Sequence, residues 1–405
     1  MTLLPLKGLT MPQIKELFYE NILFTYETYS CNCVIDIEHI HPNEEPTKKY
    51  KLQKISNKRI LFGYSAQKGL VRIAPNGTIE ESNILGSLIS LLNSKDSDKS
   101  LINFFKKNGF IFPTLCSNYE TFDEISLYLI LKKLKETVEL MTGANEINKD
   151  YPKIFSLILS FLFSKDIEIK TESMDKAYHT CHHPYIDFIN DPIKTPSYQR
   201  EQESFDKNTY TIFDTIIDNY ELDIQEYNDI TGGYSDIPGF NDSLFKNLTY
   251  TLVNYENDDI NRKISHLLFH YFHEVGMINL SNNMEYYTIP KFSNLTVGMK
   301  ETMIEIAKYI ISVEINSNLN GIHPIYNAET MSPSWKVDSL LCAAYFSIFY
   351  LKPDLELYRP CDNPRCGKYF LVKTTSTKTR YCSSECCNRV TQDRYRKRKR
   401  EQCNN

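Results

Sequence analysis

Four cysteines close to the end of the sequence have the spacing of metal ligands. Cys361 and Cys366 form one close pair, Cys382 and Cys386 form a second, and fifteen residues separate the two pairs. Two turns that each present two thiolates suit zinc, which binds four ligands in a tetrahedron with Zn–S bonds of about 2.3 Å. The spacing therefore predicts one structural zinc ion on these four sulfurs.

Other arrangements of the cysteines stay open. Cys387 follows Cys386 directly and could replace it as the fourth ligand, whereas Cys403 lies beyond the basic run and is expected to be free. The thiols could also be uncoordinated, or they could form disulfides. Disulfides fit poorly, because the first eight residues lack the charged segment and long apolar run of an export signal.

The residues between the two ligand pairs are expected to form a hairpin. Gly367 can adopt the left-handed backbone that a sulfur-presenting turn often needs. Residues 368–373 are rich in aromatic and branched side chains and predict a strand, residues 374–379 predict a polar turn, and residues 380–381 lead to the second pair. A hairpin followed by a helix around one metal is the layout of a treble-clef-like zinc finger.

A strongly basic helix is predicted to begin at the second pair, with Ser383 or Ser384 as its cap. A helix that is charged on all sides cannot pack on a core, so its cations face water or phosphate. The simpler alternative is a solubilising end of the chain. The predicted nucleic-acid contacts are Arg389, Arg394, Arg396, Lys397, Arg398, Lys399 and Arg400.

These last residues, about forty-five of 405, resemble the bacterial CGNR-type zinc fingers. The family's Cys-Gly-Asn-Arg signature reads Cys386-Cys387-Asn388-Arg389 here, and an Arg-Tyr-Arg pattern follows at residues 394–396. A cysteine replaces the signature glycine, and the second pair is one residue shorter than the usual spacing. The resemblance implies a DNA-binding, transcriptional role.

The charge of the chain is divided unevenly. The whole chain has 46 Lys and Arg against 51 Asp and Glu, a net charge of −5 at pH 7. Residues 359–405 hold 13 of the basic groups and four of the acidic ones, so the rest of the chain is acidic. An acidic body repels nucleic acid, so we expect contact to be confined to the basic end. DNA is the favoured partner, while RNA and a homo-oligomer stay open.

The composition predicts a folded, cytoplasmic protein. Hydrophobic residues make up 41% of the chain and aromatic residues 13%, which is ample for a core. The longest apolar stretch, residues 340–351, falls well short of the ~20 residues of a membrane-spanning helix. We therefore expect reduced cysteines, a cytoplasmic location and no membrane partner.

The fold class is expected to be α+β, with a mostly helical body, a small N-terminal α+β unit and the C-terminal finger. Alternating apolar residues predict a strand at residues 31–38, and three short runs predict strands at 50–55, 59–64 and 69–74. From about Asn83 the apolar period becomes helical. The predicted domains are an N-terminal α+β unit at 1–115, helical domains at 116–222 and 223–355, and the zinc finger at 356–405.

Capping patterns place the starts of several helices. A first helix is expected to begin at a cap near residues 10–12. Residues 121–124, Thr-Phe-Asp-Glu, form a capping box ahead of apolar residues at helical spacing. Ser332 followed by Pro333 predicts the start of a helix whose buried face includes Leu340. Further helices are predicted at residues 152–163, 242–254, 261–274 and 299–313.

One histidine group could hold a second metal. His266, His270 and His273, with Glu274, fall on roughly one stripe of a predicted helix. They lie among apolar residues and lack a His-Glu-x-x-His pairing, so a structural, hydrogen-bonded role is favoured.

A weaker candidate lies in a loop at residues 179–183. Its three histidines and one cysteine are near neighbours, but adjacent residues seldom all face one ion. No nucleophile and base can be paired from the sequence, so no enzyme activity is predicted. A zinc-finger DNA-binding regulator is ranked first, ahead of a zinc-scaffolded protein-interaction module and of a metalloenzyme that uses the histidines at 266–273.

Overall fold

The computed structural model of the protein describes residues 22–403 apart from a set of gaps. The gaps are residues 39–46, 66–67, 95–96, 116–117, 165, 175, 182, 184–258, 279–284, 329–330, 375 and 377–378. The helices predicted near residues 10–12 and at 242–254 therefore lie outside the described residues.

A long antiparallel hairpin organises the first part of the chain. Strand β1 (Ile22–Glu38) pairs with β2 (Thr47–Ser65), with a register shift between Tyr29 and Cys31 of β1. The predicted strands 50–55 and 59–64 are thus two halves of the single strand β2. The sheet also holds β3 (Gly69–Ile73), β4 (Ile79–Glu81) and β5 (Glu120–Asp123), in the order β1–β2–β3–β4 with β5 beside β2.

The other described elements are helices and two-stranded sheets, which together with the larger sheet confirm the α+β class. None of the described helices is both long and apolar enough to cross a membrane. The helices are α1 (Ile84–Ile89), α2 (Ser97–Asn108), α3 (Glu124–Asn145), α4 (Tyr151–Leu162), α5 (Asp259–Glu274), α6 (Val297–Asn318), α7 (Leu340–Phe349) and α8 (Ser384–Cys403), with a 3-10 turn at Ser90–Asn93. The paired strands are β6 (Glu168–Ile169) with β7 (Tyr178–His179), β8 (Ile322–Asn327) with β9 (Ser332–Val337), and β10 (Glu356–Pro360) with β11 (Tyr369–Lys373).

The contacts divide the chain into two compact units. The first comprises Met1–Asn145, Ile167–Thr180 and Val313–Asn405, and the second comprises Glu146–Asp166 and Cys181–Ser312. The cysteine-rich end therefore belongs to the same unit as the N-terminal sheet. The division into four domains, and a mostly helical body, stay predictions.

Helix α3 supplies much of the core of the first unit, and its start corrects one prediction. Its leucines at the predicted helical spacing, such as Leu131 and Leu134, are buried. Thr121 is not its cap, because residues 120–123 form strand β5. Asp123 takes that role: its carboxylate accepts a 2.7 Å hydrogen bond from the backbone N–H of Ser126.

The helix predicted from Ser332 begins later than expected. Ser332–Val337 form strand β9, and Pro333 is tolerated there because a two-stranded sheet leaves an open edge. Helix α7 instead starts at Leu340 and is capped by Ser339, whose Oγ accepts a 3.0 Å hydrogen bond from the N–H of Cys342. The sequence pattern therefore identified the buried face but the wrong cap.

The second unit packs α4 against α5 through aromatic rings. The rings of Phe155 and Tyr271 stack with their centroids 3.5 Å apart. The hydroxyl of Tyr271 lies 2.7 Å from that of Tyr286, and burial raises the pKa of both groups. The helices predicted at residues 152–163, 261–274 and 299–313 are present as α4, α5 and α6.

Candidate metal centre

The first cysteine pair lies in the turn of a short hairpin. Strands β10 and β11 pair antiparallel as far as Pro360 opposite Tyr369, so Cys361 and Cys366 occupy the connection between them. The predicted strand at 368–373 is confirmed, but its partner precedes the ligands. The hairpin predicted between the two ligand pairs was wrong: among the described residues β11 pairs with β10 alone, and the carbonyl oxygen of Arg380 instead accepts a 2.9 Å hydrogen bond from the N–H of Asp362 in the ligand turn.

Hydrogen bonds to the backbone and side chain of Asn363 fix the shape of this turn. The N–H of Cys366 donates to the carbonyl oxygen of the buried Asn363 over 2.8 Å, and the N–H of Arg365 donates to the Asn363 Oδ1 over 3.1 Å. Gly367 follows with φ of 63°, the left-handed conformation predicted for it. The turn thereby bends the chain back so that Cys366 points at the same place as Cys361.

The second pair lies at the start of helix α8. Cys382 precedes the helix and Cys386 lies in its first turn. Ser383 caps the helix, since its Oγ accepts a 3.3 Å hydrogen bond from the N–H of Cys386. One ligand is therefore part of the helix itself, so the metal fixes the direction in which α8 leaves the centre.

The four sulfurs meet at one point. Those of Cys366 and Cys382 are 3.5 Å apart, those of Cys382 and Cys386 are 3.7 Å apart, and all four lie within 4.8 Å of one another. Tetrahedral zinc with bonds of 2.3 Å separates its sulfurs by about 3.8 Å. The four cysteines are thus consistent with one structural zinc ion, and Cys386 rather than Cys387 belongs to the cluster.

The pKa values of the clustered thiols are shifted in different directions. Burial raises the pKa of Cys366 and of Cys382. Burial also acts to raise the pKa of Cys386, but its hydrogen bonds, the first of them with Asn363, lower it to about 7. Three or four neighbouring thiolates repel one another unless a cation sits between them, and zinc supplies that charge.

The hairpin is fastened to the N-terminal part of the first unit through its backbone. The side-chain amide of Asn83 donates to the carbonyl oxygen of Tyr369 over 2.7 Å, and the N–H of Tyr369 donates to Oγ of Ser90 over 2.8 Å. The side-chain amide of Asn93 donates to the carbonyl oxygen of Gly367 over 3.0 Å. The three side chains that bind the hairpin in this way lie in or beside α1 and the 3-10 turn.

Helix α3 holds the hairpin from a second side. The hydroxyl of the buried Tyr369 donates to the carboxylate of Glu139, and burial raises the pKa of this hydroxyl. Oγ1 of Thr142 donates to the carbonyl oxygen of Tyr358 over 2.9 Å. The hairpin is therefore held by α1, the 3-10 turn and α3.

The cations of α8 lie on its surface. The side chains of Arg389, Arg394, Arg396, Lys397, Arg398 and Lys399 are all exposed. Arg400 is in the helix, and its side chain lies outside the described residues. Arg365 of the ligand turn, 82% exposed, lies 3.6 Å from Asp393 of α8.

A polar groove of about 770 Å³ runs beside the metal centre. Cations from three parts of the first unit line it: Arg389 from α8, Arg365 and Lys368 from the ligand turn, and Lys68 from the start of β3. Glu81 and Glu385 also line it, so its charge is mixed with an excess of cations. The positive surface thus continues from the helix onto the body.

The histidines of α5 form a hydrogen-bonded pair. Nε2 of His270 lies 3.0 Å from Nε2 of His266, and Nδ1 of His270 lies 3.4 Å from the carboxylate of Glu274. The side chain of His273 lies outside the described residues. Both ring nitrogens of His270 are therefore engaged by neighbours on the same helix, as the structural interpretation expects.

The candidate at residues 179–183 is only partly described. Sγ of Cys181 lies 3.9 Å from Nε2 of His183, which is buried. His182 lies outside the described residues, and His179 is in strand β7. One thiol and one imidazole at this distance make a weak hydrogen bond.

Sequence reasoning missed the residues of the body that hold or adjoin the finger. Asn83, Ser90 and Asn93 are separated from their finger partners by more than 270 residues. Nothing in the sequence pairs such distant residues. Arg365 and Lys368 could have been found, because they are cations that flank the ligand Cys366.

Comparison with known proteins identifies one part of the chain. Residues 358–399 match the family described as CGNR zinc finger, which agrees with the resemblance read from the last forty-five residues. No curated protein and no solved structure matches the chain. The match coincides with the hairpin, the four cysteines and most of α8.

Proposed function

We propose that this protein is a DNA-binding transcriptional regulator that contacts phosphate through helix α8. The observation that carries the proposal is the contrast along this helix. Its first turn contains the zinc ligand Cys386, which is buried, whereas its six described cations from Arg389 to Lys399 are exposed. A helix whose base is fixed and whose sides are cationic is suited to a polyanion.

The dimensions of α8 suit a nucleic-acid groove. It has 20 residues, which corresponds to a length of about 30 Å. The major groove of DNA, about 12 Å wide, admits one α-helix and lets cations on both sides of that helix reach phosphates. The finger's attachments to the body leave the helix pointing in a defined direction, which reduces the entropy lost on binding.

The zinc ion has a structural role in this proposal. Four cysteine ligands fill a tetrahedral shell and leave no position for a substrate or an activated water. The ion would supply folding energy to a segment too small to build a large core, and it would hold the base of α8. We therefore propose no enzymatic activity for this centre.

The test compares the zinc-loaded full chain with the chain that lacks residues 390–405. Fluorescence anisotropy is measured with a labelled 20-base-pair DNA duplex and with an RNA duplex of the same sequence. The shortened chain keeps all four ligands and should keep its zinc, but its affinity for DNA should fall by roughly a hundredfold. Equal affinity of the two chains would overturn the proposal and favour a protein-interaction module.

A further inference from the structure

A second cavity, of about 320 Å³, lies in the first unit away from the metal centre. Its walls are mostly apolar, with a few hydroxyl groups and one carboxylate, which is the composition of small-molecule sites of this size. Leu91 and Leu92 of the 3-10 turn form one wall, and Leu101 comes from α2. The remaining lining residues are Tyr50, Ser94, Ser97, Glu124, Leu127, Tyr128 and Leu131.

The polar lining residues Tyr50, Ser94, Ser97 and Glu124 are called the mouth of the cavity here, and the charges next to them are nearly balanced. The Nζ of Lys48 lies 3.1 Å from Asp98 and 3.6 Å from Glu124, so one lysine serves two carboxylates. Ser97 and Glu124 are the first residues of α2 and α3, and a helix N-terminus carries about half a positive charge. One excess carboxylate and two such termini leave a polar mouth of little net charge.

The polar groups of the mouth are already ordered by hydrogen bonds. The hydroxyl of Tyr50 donates to Asp98 over 2.9 Å, and Oγ of Ser94 lies 2.6 Å from Oγ of Ser100. An ordered polar mouth of little net charge beside an apolar interior favours an uncharged molecule with a hydroxyl-type end. A carboxylate head group would meet Glu124, and an ammonium head group would have to compete with Lys48 for it, so either one would lose hydration without full compensation.

The walls of this cavity are the elements that hold the finger. The 3-10 turn presents Leu91 and Leu92 to the cavity, while Ser90 and Asn93 of the same turn bind the backbone of Tyr369 and Gly367. Helix α3 likewise presents Leu131 to the cavity and, two turns later, Glu139 to Tyr369. An occupant would stabilise both supports of strand β11.

We propose that this cavity is a site for a small uncharged amphipathic molecule, and that its occupation tightens the attachment of the finger to the body. None of the residues that line the cavity is among the proposed nucleic-acid contacts. Binding at the cavity can therefore be tested without nucleic acid, so its failure and the failure of DNA binding are distinguishable.

The first measurement is calorimetric titration of the zinc-loaded full chain with hexanol, hexylamine and hexanoate. Hexanol should bind saturably and about tenfold more tightly than either charged analogue. Leu92→Phe, which fills the cavity from a half-buried position, should weaken hexanol binding at least about tenfold. Ile125→Phe, which adds the same bulk at an exposed position outside the cavity, should leave it unchanged.

The second measurement is amide hydrogen exchange of a peptide containing residues 366–370. At a hexanol concentration ten times its Kd, exchange of the Tyr369 N–H, which donates to Ser90, should slow by up to about tenfold. The slowing should disappear in Leu92→Phe and persist in Ile125→Phe. Absence of saturable binding, equal binding of all three compounds, or exchange that hexanol does not change would each overturn the proposal.

Discussion

Asn93 donates a 3.0 Å hydrogen bond from its side-chain amide to the carbonyl oxygen of Gly367, across 274 residues of sequence. The bond joins the 3-10 turn of the body to the turn that presents Cys366. Gly367 has φ of 63°, and a Cβ placed on it would lie 3.1 Å from Cβ of Asn93. The ligand turn therefore depends on glycine at position 367 and on its contact with Asn93, which is far away in the sequence.

Gly367→Ala should destabilise the finger. A left-handed conformation costs a residue with Cβ about 1–2 kcal/mol, and the close contact with Asn93 adds to this cost. The measurement is urea unfolding of the zinc-loaded chain. Gly298→Ala is the matched control, because Gly298 lies in helix α6 and its Cβ would meet nothing nearer than 4.0 Å. That change should be neutral or stabilising by up to about 1 kcal/mol.

Tyr369→Phe should loosen the finger from helix α3. The change removes a hydrogen bond between a buried hydroxyl and the carboxylate of Glu139, at a cost of about 1–2 kcal/mol. The loss should appear as faster exchange of amide hydrogens in β11 and as a lower Tm. Tyr395→Phe removes a hydroxyl from a residue that is 67% exposed, and it should change neither quantity.

The zinc content of single-cysteine variants should distinguish the ligand cysteines from Cys387, which is not a ligand. Cys361→Ser and Cys386→Ser each remove one sulfur of the cluster and should lower the zinc content of purified chain from one ion to well below one. Cys387→Ser should retain one ion. Zinc is measured by atomic emission against protein concentration. Retention in Cys386→Ser together with loss in Cys387→Ser would contradict the assigned ligand set.

Ser339→Ala should destabilise helix α7 by about 1 kcal/mol, since it removes the cap on the N–H of Cys342. Ser334→Ala changes a serine of strand β9, just before the helix, and should have little effect. Thermal unfolding compares the two variants. A loss for Ser334→Ala equal to or larger than that for Ser339→Ala would contradict the assignment of Ser339 as the cap.

The local features of the finger could be predicted from the sequence because they depend on nearby residues. Three such features were predicted: the spacing of the ligand cysteines, the strand after Gly367 and the cap at the start of α8. Each is determined by residue types close to it in the sequence. The partner of β11 was missed because pairing with β10 and pairing with residues 380–381 are equally close in sequence. Only the packed structure distinguishes them.

The predicted caps of α3 and α7 were wrong for a related reason. Thr121 and Ser332 have the residue types of caps, but each lies in a strand. Thr121 pairs with Lys51, 70 residues away, and Ser332 pairs with Asn327 in the local hairpin of β8 and β9. Strand pairing at these places overrides the local preference, and the next suitable side chains, Asp123 and Ser339, cap the helices instead. The attachments through Ser90 and Asn93 left no local signal at all.

The salt dependence of DNA affinity tests the central claim most directly. The Kd of the zinc-loaded full chain for a 20-base-pair duplex is measured from 50 to 300 mM KCl. It is compared with that of a variant in which Arg396, Arg398 and Lys399 are alanine, and of a control in which the exposed Lys58, Lys106 and Lys308 are alanine.

If about six cations contact phosphate, log affinity should fall against log salt concentration with a slope near −5. The slope should be shallower by about 2.7 in the α8 variant and unchanged in the control, because each phosphate contact contributes about 0.9. A slope near zero for the full chain, or equal slopes in the two variants, would contradict the account.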